Sequence, residues 1–111
     1  MNREYLRNLK AETENKILEK AIEDTIEDLT TIILNTASTS NSRKIDINVF
    51  NHMEKLNTNF SKRVLPVLKN RFGDVGITLK TMEYNQLELV EIVDNIEFRG
   101  QGYYNLCVDW S

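Results

Sequence analysis

Residues 71–80, RFGDVGITLK, hold the point at which the hydrophobic period of this chain changes. Downstream of Gly73, Val75, Ile77 and Leu79 alternate with Gly76, Thr78 and Lys80, the period-two pattern of a strand with one buried face. Upstream, Val49, Phe50, Met53, Leu56, Phe60, Val64, Val67 and Leu68 recur every three or four residues, as on one side of a helix. A chain that passes once from helical to strand periodicity reads as α+β. Gly73 stands where the helix must end, in the position that tolerates left-handed geometry.

Toward the C-terminus, Tyr104, Leu106, Val108 and Trp110 alternate with Tyr103, Asn105, Cys107 and Asp109. Between the two alternating stretches, LELVEIVDNIEF (87–98) is rich in β-branched residues, but its alternation slips near Leu89-Val90. A bulge would re-phase it. Leu87, Val90 and Ile96 also roughly fit a helical period, so residues 86–98 are either strand or helix, with strand favoured. Asn85-Gln86 and Arg99-Gly100-Gln101-Gly102 supply turns. Residues 75–111 are therefore expected to form a three-stranded antiparallel meander.

Toward the N-terminus, residues 45–72 are expected to be one helix that starts after Asp46 as N-cap. Pro66 should kink it, since the apolar stripe keeps its phase on both sides. Residues 35–44, NTASTSNSRK, read as a polar loop. Residues 1–36 read as helix, with Ile17, Leu18, Ala21, Ile22, Ile26, Leu29, Ile32 and Ile33 filling half of the wheel. Before Lys16 only Tyr5, Leu6 and Leu9 are apolar, and this stretch should continue the helix without packing well. Ile22, Ile26, Leu29, Phe60, Val64, Leu106 and Val108 are the expected core. The fold is then two helices, the second kinked near Pro66, packed on a three-stranded sheet.

At 111 residues, the chain is expected to be a single domain, 1–111. An apolar fraction of 41% and a charged fraction of 28% suit a globular protein with a real core. Cys107 is the only cysteine, which excludes an internal disulfide and suits a reducing compartment. The opening residues are polar and no long apolar run occurs, so neither a signal peptide nor a membrane span is expected. The expected location is cytoplasmic, or the virion if the protein is viral. Abundant Asn and Ile fit an AT-rich genome, among them phages and large DNA viruses.

Charge is segregated. Residues 1–36 carry five basic and eight acidic groups, residues 37–74 seven and three, and residues 75–111 two and six. Lys55, Lys62 and Lys69, seven apart, would share one side of the second helix, with Arg63 beside them and Arg43 and Lys44 preceding it. Such a row could meet phosphates by displacing counterions. A net charge of −3 argues against that use and for a solvated face. Glu19, Glu23 and Glu27 form an acidic row at helical spacing, at a cost of a few tenths of a kcal/mol per like pair that Lys16 and Lys20 offset. RGQGYYNL (99–106) shares Arg99, Gly100, Gly102 and Tyr103 with a strand of the RNA-recognition motif. It departs from that motif at Gln101, Tyr104 and Leu106, and the helix-first order is not that fold's.

His52, Cys107 and Asp109 are the only material for nucleophilic catalysis, and nothing in the sequence places His52 beside Cys107. One His and one Cys cannot close a zinc site. No phosphate-loop, dinucleotide or metalloprotease motif occurs. The sequence thus points to no enzyme activity, no cofactor and no metal. The expected function is a non-enzymatic protein-interaction module, such as a small phage or viral structural, assembly or host-factor-binding protein. Its expected partner is another protein or a second copy of itself, with nucleic acid and membrane not expected. Lys55, Lys62, Arg63, Lys69, Tyr103 and Trp110 are the candidate surface. The alternative is a nucleic-acid-binding or regulatory protein using Lys55, Lys62 and Lys69.

Overall fold

The computed structural model describes residues 2–85 and 87–111, and in it a helical layer covers one face of an antiparallel sheet. Helix α1 (Arg3–Thr39) is capped by Asn2, whose Oδ1 accepts the Tyr5 N–H at 2.9 Å. Its buried residues, Ala21, Ile22, Thr25, Ile26, Leu29, Thr30 and Ile33, lie on one side of the helix. The two buried threonines are satisfied locally, donating to the carbonyls of Ala21 (2.8 Å) and Ile26 (2.7 Å) one turn back. The same local bonding recurs where α1 runs into the expected loop. Thr36, Ser38 and Thr39 donate to Ile32, Leu34 and Asn35 at 2.7–2.8 Å, which satisfies their hydroxyls within the helix, and α1 runs on to Thr39.

The sheet has four strands, not three, in the order β1-β4-β2-β3. The added strand, β1 (Lys44–Asn48), occupies residues expected to open the second helix. Ile45 and Ile47 alternate with Lys44, Asp46 and Asn48, a strand pattern too short to stand out beside the helical stripe that follows. Asp46 is therefore not an N-cap. Val49 holds the N-cap position of the following helix without a side-chain cap, and just ahead of it the Asn48 carboxamide oxygen accepts the Phe50 N–H at 2.9 Å.

β2 (Gly76–Asn85) and β3 (Glu88–Val93) form a hairpin in regular register from Asn85↔Glu88 to Lys80↔Val93, without a bulge. β4 (Tyr104–Asp109) pairs with β2, not β3, so the three expected strands are not a meander. β2 lies inside the sheet and β3 at its edge, while β4 is also gripped by β1 on its far side.

The expected strand over 86–98 ends at Val93 because Asp94 turns to φ 60°. Residues 94–99 then cross the sheet end without regular structure, and side chains take up their polar backbone groups. The Asp94 N–H donates to the Leu79 carbonyl (2.8 Å), and its carboxylate accepts the Leu79 N–H (3.1 Å). Ser61 Oγ accepts the Ile96 N–H at 3.3 Å, Asn57 Oδ1 the Phe98 N–H at 3.0 Å, and the Tyr104 hydroxyl oxygen the Arg99 N–H at 2.9 Å. Ile96 is buried, and Phe98 packs on Phe50 and Tyr104 with ring centroids 5.1 and 5.3 Å apart.

The second helical region is broken, but not at Pro66. Helix α2 (Phe50–Leu56) stops at Asn57, which sits at φ 50°, ψ −128°. Helical geometry then resumes as a π turn (Phe60–Val64) leading into α3 (Leu65–Phe72). The π turn lies just ahead of Pro66, which cannot donate and whose ring crowds the carbonyl four residues back. The Leu65 N–H reaches instead to the carbonyl of Phe60, five residues away. One extra residue in that turn shifts the stripe, so that Leu65 is buried and Val67, part of the expected apolar stripe, is exposed. Gly73 ends α3 at φ 64°, as its position predicts.

Ile22, Ile26, Leu29, Phe60, Val64, Leu106 and Val108 are all buried, in a hydrophobic core shared by the helices and one face of the sheet. Ile77, Leu79, Thr81 and Tyr104 point into the same layer. The opposite sheet face, with Asp46, Thr78, Lys80, Asn105 and Cys107, carries no helix. No helix among the described residues is long and apolar enough to cross a membrane.

Candidate interaction surfaces

The charge segregation read in the sequence is used inside the molecule. Arg63, on the π turn, pairs with Glu19 of α1 at 2.6 Å, and Arg71, on α3, with Glu27 at 2.9 Å. Both partners advance by eight residues from the first pair to the second, so α1 runs parallel to the π turn and α3 with matched rise. Arg71 also donates to buried Thr30 at 3.1 Å. Lys69 pairs with Asp94 at 3.1 Å, tying α3 to the end of β3. The Arg63 guanidinium holds the Glu19 carboxyl below its ordinary pKa, and Glu19 raises that of Arg63.

Of the expected basic face, Arg63 and Lys69 are thus committed to acids of the same chain. Lys55 and Lys62 are exposed and have no ion-pair partner among the described residues. The helical phase that would align Lys55, Lys62 and Lys69 is interrupted at Asn57 and again at the π turn. Trp110 is half-buried against the edge of the core. Tyr103 is exposed on the helix-free face of the sheet, whereas its neighbour Tyr104 turns inward.

The residues with nucleophilic chemistry are kept apart. His52, on α2, lies in the helical layer, half-buried. Burial lowers its pKa, Asp28 partly opposes this, and Lys55 adds to it. Cys107 alternates with the buried Leu106 and Val108 and so faces the other side of the sheet. Burial, then the Asp46 carboxylate paired across from it on β1, push the thiol up to about 11. A thiol so raised, with the sheet between it and the imidazole, is not an activated nucleophile. Asp109 is held below its usual range by the hydroxyl (2.6 Å) and N–H (2.9 Å) of Ser111. No group of three or more His, Cys, Asp or Glu among the described residues could hold a metal ion.

Two exposed apolar regions remain. An open cleft of about 690 Å³ lies where the β2–β3 hairpin overhangs β4, lined by Met82, Tyr84, Leu89, Gln101 and Tyr103. The Arg99–Glu83 pair (3.0 Å) borders it, and Leu87, almost fully exposed at φ 76°, stands at the hairpin turn.

The second region is α1 itself. Residues 3–17 are all exposed, although the helix includes Tyr5, Leu6, Leu9 and Ile17. At about 100° per residue, these four centre roughly half a turn away from the buried Ala21–Ile33 stripe. The two stripes therefore face opposite sides of one helix. This signal was present in the wheel but hidden, because the two stripes read in succession look like a single weakening one. Of the stripe read in the sequence, Ile22, Ile26 and Leu29 are covered within the chain, whereas Ile17 and Ile32 are exposed. No family model, curated protein or solved structure matches this chain.

Proposed function

We propose that this chain is a non-enzymatic protein-interaction module whose docking element is the back of α1. One observation carries the reading: Tyr5, Leu6, Leu9 and Ile17 are exposed on the face opposite the helix's own core stripe. These turns of α1 stand clear of the folded body, with residues 3–17 exposed on every side of the helix, so no side chain among the described residues covers that face. A small structural or assembly component would use such an element to dock while its folded body stays unchanged.

The test is the double substitution Leu6→Asp/Leu9→Asp in the full chain. Both side chains are exposed, so the thermal midpoint should stay within about 2 °C of the parent, while association in sedimentation velocity and in pull-down from the native source is lost. Association unaffected by the substitution would defeat the reading.

A further inference from the structure

We infer that the back of α1 is self-complementary and that two copies of this chain pair antiparallel along it. The inference rests on the docking role proposed for this face and names its occupant. From N- to C-terminus, the face presents Leu9 and Thr13, then Lys16 and Lys20, then Glu23 and Glu27, then Thr31 and Leu34. About a two-fold axis near residues 21 and 22, this order maps onto its own reverse. Lys20 meets the partner's Glu23, Lys16 the partner's Glu27, Thr13 the partner's Thr31 and Leu9 the partner's Leu34. All eight are exposed, and the folded body lies on the other side of the helix.

The charges fix the direction. A parallel pair in register would set Lys16 and Lys20 against themselves and Glu23 against Glu23, whereas the antiparallel pair sets opposite charges together throughout. Lys16, Lys20 and Glu23 have no ion-pair partner among the described residues, while Glu19, in the same acidic row but off this face, is taken by Arg63. Glu27 binds Arg71 through a carboxylate that remains two-thirds exposed. The arrangement also covers Leu34, which no element of its own chain packs against on that side; it is 53% exposed. Exposed ion pairs are individually weak, so the pair should be salt-sensitive, with charge setting register and the leucines supplying area.

The experiment uses sedimentation equilibrium of the full chain and two charge reversals. The parent should dimerise at about 0.05 M salt and weaken at about 0.5 M. Lys20→Glu alone and Glu23→Lys alone should each weaken the homodimer by about tenfold or more, since each places two like pairs in it. Mixing the two variants, or combining both changes in one chain, should restore association. Unchanged circular dichroism in each variant separates loss of pairing from loss of fold. A parent that stays monomeric to about 1 mM at low salt, near the weak limit of specific association, would overturn the inference, as would reversals that fail to rescue each other. If the parent is monomeric and Leu6→Asp/Leu9→Asp still removes a recovered partner, self-pairing falls and the docking face stands.

Discussion

Single side chains decide several features that no pattern of apolar residues records. Phe60 is fully buried at the start of the π turn, and Phe60→Ala should cost about 3–5 kcal/mol in denaturant unfolding. Asn57 does two things at once: it turns the chain at positive φ, and its side chain accepts the Phe98 N–H. Asn57→Gly keeps the turn and loses the acceptor, while Asn57→Ala loses both. The alanine variant should therefore be the less stable of the two, and the glycine variant should fall below the parent by no more than about 1 kcal/mol, because the Phe98 N–H it frees is exposed and can turn to water, measured by thermal or urea unfolding. Titration adds a third check. His52 in the folded chain has its pKa below 6.5, so the unfolded chain binds its proton first as pH falls. Its contribution is intact above 6.5 and is lost as pH drops through the folded pKa, and His52→Gln should flatten the stability profile in that window. Cys107 behaves oppositely. With a folded pKa of about 11, stability is constant below the ordinary thiol value and falls as pH rises toward 11, and alkylation near neutral pH should be slow.

At the scale of elements, Pro66→Ala should leave the fold intact and change stability by no more than about 1 kcal/mol, as read by unfolding midpoint. The burial of Phe60, Val64, Leu65 and Leu68 already requires the extra residue of the π turn. Loss of folding would show that the proline itself holds the turn open. The helical and strand regions were legible because their burial is periodic: α1 and the Val75–Leu79 and Tyr104–Val108 alternations needed only the count of residues between apolar ones. Three elements escaped for separate reasons. β1 is five residues long, and Ile45 and Ile47 sit too close to Val49 and Phe50 to be told from a helix start. Val67 was misplaced because a π turn adds a residue that a constant 3.6 period does not contain. The slip at Leu89-Val90 marked neither a bulge nor a strand end: β3 pairs regularly through it, with Val90 and Ile92 half-buried on one face and Leu89 and Val93 exposed on the other.

At the scale of the whole molecule, the longest dimension is 59 Å, close to the length of about 55 Å expected of a 37-residue helix. The first four turns of α1 therefore stand clear of the body, and an isolated helix of that length is marginal in water. Limited trypsin digestion of the monomer should cut first at Arg3, Arg7, Lys10 and Lys16, and amide exchange should be fast over the same residues. Dimerisation should protect them. This part of the surface was half legible: Tyr5, Leu6 and Leu9 were visible as helix without a core, but their direction required knowing which side of α1 the sheet and α3 occupy. The basic row was misleading in sequence because its answering acids, Glu19 and Asp94, lie 44 and 25 residues away from Arg63 and Lys69.

The place of β4 in the sheet sets an order of events during synthesis. Residues 104–109 slot between two strands made earlier, and β1 has no partner other than β4. A nascent chain that has reached Val93 can close the β2–β3 hairpin, but β1 must wait through 55 residues, from Asn48 to Tyr104, with its ladder unmet. Until Asp109 leaves the ribosome, the inner faces of Ile47, Ile77 and Leu79 lack the strand that joins them. The hairpin, complete at Val93, waits only over residues 94–103 for its third strand, so the long interval before closure falls to β1, and the non-local pairing of β1 with β4 is the contact the chain must close last.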